Sequence, residues 1–147
     1  MSYLALDEVV SWQGNYRYFT EQEMKCKCGC GALPPHEFML RLDGIREVCG
    51  FPLYVNSGAR CPDYNKEVSN TGLTGPHTMF DEGFCAADIA VFHEQAFLLI
   101  PIAIEEGMQG IGIKQTSGSS YGSRFIHLDD IPRGYSEKHV RPTVWSY

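Results

Sequence analysis

The sequence predicts an α+β domain, with a small, mostly antiparallel sheet flanked by helices. Two observations point there. Apolar residues recur at helical spacing in Phe38, Leu42, Ile45 and Cys49, four, three and four apart. Short segments rich in β-branched and aromatic residues, or alternating in character, punctuate the rest at Pro52–Ser57, Ala86–Val91, Gly110–Gln115 and Arg124–Asp129. With 147 residues, 44% of them hydrophobic, the chain is long and apolar enough for one domain with a core. We read 1–147 as that single domain, with 1–17 as an N-terminal extension and 131–147 as an irregular tail.

Each element has its own signal. Thr20-Glu21-Gln22-Glu23 is a capping box that starts a short helix, which stops at the cysteine and glycine cluster Cys26–Gly31. Pro34 and Pro35 open the next helix and Gly50 ends it. Pro52–Ser57 follows as a strand and Pro62–Val68 as a short helix. Ser69–Phe84 is polar and glycine-containing, which predicts a loop. Ala86–Val91 is a strand. His93–Gly107 is an apolar helix, with a kink or break expected at Pro101. Gly110–Gln115 alternates Ile and Gly, Thr116–Gly122 is a Gly/Ser turn, and Arg124–Asp129 completes a hairpin. Pro132 and Pro142 mark the tail as mostly loop, and no internal repeat is present.

A formal charge of -6 argues against nucleic acid as a partner, because phosphate binding needs a basic footprint. The longest apolar run, Ala96–Ile104, is too short to span a bilayer, so no membrane insertion is expected. Asp7 and Glu8 near the start and the lack of a positive segment predict synthesis in the cytoplasm without a signal peptide. Of six cysteines, Cys26, Cys28 and Cys30 fall within five residues. A metal knuckle needs a second paired cluster, and only Cys49, Cys61 and Cys85 remain, so buried or turn cysteines are the expected reading. A protein centred on a metal at Cys26, Cys28 and Cys30 stands as a rival.

Three distant segments carry chemistry: Ser57-Gly58-Ala59-Arg60, Gly75-Pro76-His77 with Ala86-Ala87-Asp88, and Phe125-Ile126-His127-Leu128-Asp129. They offer two histidines and a carboxylate for one zinc ion, with a fourth position open to water, and an arginine for an anionic substrate group. His127 and Asp129 are two apart on a strand and so share a face; Asp129 can orient a ligand or accept a proton. Asp130 faces the other way. Taken singly, each residue fits an ordinary structural role; their combination favours a site. Trp145 and Tyr147 either cover one edge of the cleft or simply pack, and His36, His93 and His139 show no ligand spacing.

Ser57-Gly58-Ala59-Arg60-Cys61-Pro62-Asp63-Tyr64-Asn65 resembles the Ser-Gly-(Tyr/Ala)-Arg-(Ser/Cys)-Pro-x-Tyr-Asn stretch of the M15 zinc peptidases. These are D-Ala-D-Ala carboxypeptidases and phage peptidoglycan endopeptidases, related in fold to hedgehog domains. Gly75-Pro76-His77-Thr78 and Ala87-Asp88-Ile89 resemble the two halves of the family's His-x-x-Gly-x-Ala-x-Asp motif, with four residues inserted within Thr78–Cys85. Phe125–Asp129 is similar to its third-ligand strand. The resemblance implies a hedgehog-like fold and one Zn2+ held by His77, Asp88 and His127. It also implies Arg60 as a catalytic and substrate-binding residue, with Ser57 beside it, and hydrolysis of peptidoglycan stem peptides or cross-links. Many members place an acidic base three residues before the last histidine, where this chain has Arg124. Asp129 is the first substitute, Asp81 and Glu82 the alternatives. The opening around Phe19 to Cys30 and the ending Arg141-Pro142-Thr143-Val144-Trp145-Ser146-Tyr147 resemble phage-type members, which implies action at the cell wall after release by a holin or carriage in a virion; a monomer is expected. The rival from another class is a non-catalytic, zinc-containing cell-wall-binding or virion module.

Overall fold

The structure is a computed structural model that describes residues 16–116 and 124–147. Its elements run α1 (Glu21–Met24), α2 (His36–Cys49), β1 (Tyr54–Ser57), α3 (Pro62–Val68), a 3-10 helix (Pro76–Glu82), β2 (Ala86–Ala90), α4 (His93–Glu105), β3 (Gly110–Lys114), β4 (Phe125–Asp129) and β5 (Thr143–Ser146). The capping box forms as expected: Thr20 Oγ1 accepts from the Glu23 amide, and Glu23 reaches back to the Thr20 amide. Helix α2 ends at Gly50, whose φ of 74° is the left-handed conformation that glycine adopts without strain. Pro101 sits inside α4 without ending it. It lies on the exposed side, where water can serve the carbonyl that loses its amide partner.

The five strands form one sheet in the order β1-β2-β4-β3-β5. Every pairing is antiparallel except β3 with β5, which is parallel. Two expectations need correction. The tail is not wholly irregular, because Thr143–Ser146 adds an edge strand beside β3. The predicted loop Ser69–Phe84 contains the 3-10 helix, which carries His77 and absorbs most of the inserted residues before Gly83 ends it. Strands β3 and β4 pair antiparallel as a hairpin requires, while the connecting turn falls mostly outside the described residues. Among the described residues no helix is long and apolar enough to cross a membrane.

Alternation splits the sheet into two faces. Ala87, Ile89, Ile111, Ile126 and Leu128 enter the core with Phe38, Leu42 and Ile45 of α2 and Leu99 and Ala103 of α4. On the opposite face the register sets Ser57, Asp88, His127, Gly112 and Trp145 in one row across all five strands. The next row holds Ala86, Asp129, Gly110 and Thr143. The Gly-Ile repeat of β3 therefore does two jobs. Its isoleucines face the core, and its glycines keep the polar face flat. A Cβ on Gly112 would stand 2.7 Å from Trp145 Cε2, and one on Gly110 2.3 Å from Asp129 Oδ2. Both are closer than packed atoms tolerate.

The six cysteines form no disulfide. Cys61, which belongs to no paired cluster in the sequence, lies beside Cys26, Cys28 and Cys30 in space. The Ala59 amide donates to the Met24 carbonyl at 2.9 Å, which brings the turn after β1 against the end of α1. Cys61 arrives beside the cluster as a result.

Candidate active site

His77, Asp88 and His127 each offer one ligand atom, and these atoms lie within 4.8 Å of one another. All three residues are buried and line a cleft of about 1050 Å³, together with Arg60, Thr71, Phe125, Lys138, His139, Arg141, Trp145 and Tyr147. Asp88 sits between the rings: His77 Nε2 is 3.4 Å from its Oδ2 and His127 Nδ1 is 3.1 Å from its Oδ1. The His77 tautomer follows from its other partner. Nδ1 lies 2.7 Å from the Gly58 carbonyl oxygen, which can only accept, so Nδ1 carries the proton and Nε2 presents its lone pair toward Asp88.

His127 has a carboxylate at each nitrogen, with Asp129 Oδ2 2.8 Å from Nε2. Burial favours its neutral ring, but the hydrogen bonds to Asp129 and Asp88 prevail and raise its pKa to about 9. Burial dominates at His77 and lowers its pKa, with Asp88 opposing. At Asp88 burial alone would raise the pKa, yet the two histidines hold it well below the usual carboxylate range. Asp129 is also buried, and there His127 and Arg141 win, lowering its pKa to about 2.

The supporting shell explains these shifts. Arg141 donates Nε to Asp129 Oδ1 at 2.8 Å and Nη2 to Oδ2 at 2.7 Å, a two-pronged clamp on a side chain with 0% exposure. Both Asp129 oxygens are thus engaged by donors. The Trp145 ring lies 5.0 Å from that of His127 and covers it from the far strand. Arg60 is fixed by three partners: Nε donates to Ser57 Oγ at 2.9 Å, Nη1 to Asn65 Oδ1 at 2.9 Å and Nη2 to Asp88 Oδ2 at 3.3 Å. Ser57 therefore supports Arg60 from below and is not among the cleft-lining residues.

Asp81 and Glu82 lie exposed at the far end of the 3-10 helix, away from the cleft lining. Arg124 sits near His93, its Nη1 3.2 Å from that ring's Nε2. Asp130 faces away from the site, where its Oδ1 accepts from the Cys85 amide at 2.9 Å. Sequence reasoning passed over His139 and Arg141. His139 is buried in the cleft wall, and its Nε2 has no hydrogen-bond partner among the described residues. Burial, aided by Arg141 and Lys138, holds its pKa below the usual histidine value. For Arg141 the legible signal was Gly110 in β3, where a Cβ would stand 2.6 Å from Arg141 Nε; for His139 the sequence carries none.

Two imidazole nitrogens and one carboxylate oxygen in a buried cluster suit zinc, and three protein donors leave a position for a reactant. The orientation of His77 by Gly58 and of His127 by Asp129 is the outer-shell support that such donors receive. No curated protein and no solved structure gives a significant match to the chain. The family model Peptidase M15 matches residues 17–129. That span covers most of the chain and includes Arg60, His77, Asp88 and His127, so the protein belongs to the M15 peptidases, a family of zinc-dependent metallopeptidases.

Proposed function

We propose that the chain hydrolyses peptide bonds in peptidoglycan, at stem peptides or at their cross-links, with one zinc ion at His77, Asp88 and His127. The observation that carries this reading is the convergence of those three donors beside Arg60 in a single cleft. Zinc held there would polarise a scissile carbonyl and lower the pKa of a reacting water. His77 Nε2 and His127 Nδ1 are the nitrogens turned toward Asp88 and so the donors. Arg60, held by Ser57 and Asn65, keeps Asp88 in place and turns its cationic edge to an anionic substrate group. Lys138 adds positive charge at the cleft, which suits the carboxylates of a stem peptide.

The proton acceptor in this reading is His139. It lines the same cleft as the three donors, burial keeps its ring neutral, and its Nε2 has no hydrogen-bond partner among the described residues. It takes a proton from the attacking water and returns it to the leaving amine. Asp129 is assigned the orienting role, because both its oxygens already receive hydrogen bonds.

A second reading, a zinc-bearing wall-binding module without turnover, is favoured by one observation: among the described residues lining the cleft Asp88 is the sole carboxylate. The test is digestion of purified cell-wall fragments by zinc-loaded protein, with His127→Ala as control. New amino groups that require His127 are expected. Released terminal D-Ala would mark a carboxypeptidase, and loss of cross-linked dimers an endopeptidase. A zinc-replete wild type that binds these fragments and generates no new amine would replace the enzyme reading with the module.

A further inference from the structure

We propose that Cys26, Cys28, Cys30 and Cys61 form a second zinc site, a closed four-thiolate centre that fastens the Arg60 turn to the segment after α1. Their sulfurs all lie within 4.8 Å of one another, with Cys26 Sγ 3.5 Å and Cys61 Sγ 3.6 Å from Cys28 Sγ. A tetrahedron with zinc–sulfur bonds of about 2.3 Å has sulfur–sulfur edges of about 3.8 Å, close to these separations. A disulfide needs about 2.05 Å. Core packing accounts for Cys26 and not for Cys28 and Cys30, which are exposed.

The backbone is shaped for convergence. Residues two apart on an extended strand sit roughly 6.6 Å from each other, too far for sulfurs to share one ion. Here Gly29 and Gly31 both take φ of 89°, and the Cys26 amide donates to the Ala32 carbonyl at 2.9 Å, closing the segment into a loop. Backbone amides turn toward the sulfurs as well: Cys61 N donates to Cys26 Sγ at 3.3 Å and Tyr64 N to Cys61 Sγ at 3.4 Å. Such bonds stabilise thiolates. Lys25 precedes the cluster and Lys27 lies within it, and their positive charges oppose that of the thiolates. On zinc binding each thiol releases its proton to solvent, and four sulfurs fill the coordination sphere, leaving no reactive position.

The centre's effect on the cleft follows from the chain path. Cys61 is the residue after Arg60. The Arg60 amide donates to the His77 carbonyl at 2.9 Å, and the Gly58 carbonyl orients His77. Gly58 itself is pressed on the Met24 carbonyl, where a Cβ would stand 2.5 Å away. Metal at the cysteines therefore fixes the turn that positions both Arg60 and His77.

Native mass spectrometry of the full chain loaded with zinc alone tests this. Wild type should carry two zinc ions, and His77→Ala/His127→Ala one. Cys28→Ser/Cys30→Ser, which alters only exposed side chains, should also carry one and melt at a lower temperature. Cobalt substitution of the His77→Ala/His127→Ala protein should give intense sulfur-to-cobalt charge-transfer absorption. If that variant misfolds, thiol titration of zinc-loaded wild type decides. Protection of four cysteines, lost when a chelator removes the metal, supports the centre. A single zinc in wild type that survives Cys28→Ser/Cys30→Ser overturns it, as do four freely reactive thiols or two disulfides.

Discussion

Replacing Asp129 by Asn separates an orienting carboxylate from a proton-accepting one. Asp129 Oδ2 receives His127 Nε2 at 2.8 Å and Arg141 Nη2 at 2.7 Å, while Oδ1 receives Arg141 Nε at 2.8 Å. The amide nitrogen of Asn, whichever way it is turned, confronts a donor. Arg141, with 5% of its side chain exposed, then keeps a buried charge with no anionic partner at that position. Breaking a buried pair from one side costs about 3–5 kcal/mol, so the metal-free variant should be markedly less stable. In the proposed zinc site, losing the carboxylate that orients His127 should weaken zinc binding by roughly 10–100-fold, or about 1.4–2.8 kcal/mol. Competition against a chromogenic chelator reads the affinity, and amide hydrolysis at saturating zinc reads the chemistry. We expect turnover at saturating zinc to fall by no more than about 100-fold. Unchanged zinc affinity together with turnover lost by more than about 100-fold would refute the orienting role and return Asp129 to the place of general base.

Three further outcomes follow from the same geometry. Gly112→Ala puts a methyl group 2.7 Å from Trp145 Cε2, so the indole must lift off His127; we expect about 1–3 kcal/mol lost in thermal unfolding and a red shift in tryptophan emission, and unchanged values of both would contradict the packing. His127, raised to about 9, stabilises the metal-free fold fully below its ordinary value, and that contribution disappears as pH rises through 9. Zinc must displace the same proton, so affinity should climb about tenfold per pH unit up to about 9, with proton release visible by calorimetry in two buffers; a flat profile would exclude a protonated His127. His139→Gln should keep its zinc yet lose about 10²–10⁴ in turnover, and the acid limb of the wild-type rate profile, placed below the usual histidine range, should vanish with it; an unaltered profile would remove His139 from the chemistry.

What was legible in the sequence was local. Helix α2 announced itself because Phe38, Leu42 and Ile45 repeat along one face and Gly50 supplies its end. The shared orientation of His127 and Asp129 followed from strand alternation, and the two side chains do touch. Less legible were features that depend on distant partners. The 3-10 helix around His77 lacks apolar periodicity and is held by its setting, with Met79 buried and Gly83 closing it. Strand β5 has four residues and finds its ladder on β3, some thirty positions upstream. The fourth cysteine was hidden for the same reason: Cys61 reaches Cys28 only because the Met24–Ala59 hydrogen bond joins two segments far apart in sequence.

The matched family region ends at Asp129, and much of what conditions His127 lies beyond it. Arg141 clamps Asp129, Trp145 covers the imidazole, and Lys138, His139 and Tyr147 line the cleft. Strand β5 explains how a tail acquires this position. Running parallel to β3, it brings Trp145 level with Gly112 and His127, and Thr143 level with Gly110 and Asp129. The two glycines leave the space through which Trp145 and Arg141 approach the next strand. His77, Asp88, His127 and Arg60 belong to the matched region, while the charge state of His127 and one wall of the cleft depend on the tail. Changes of substrate preference in this fold are therefore expected to map to residues 138–147, with the donors left in place.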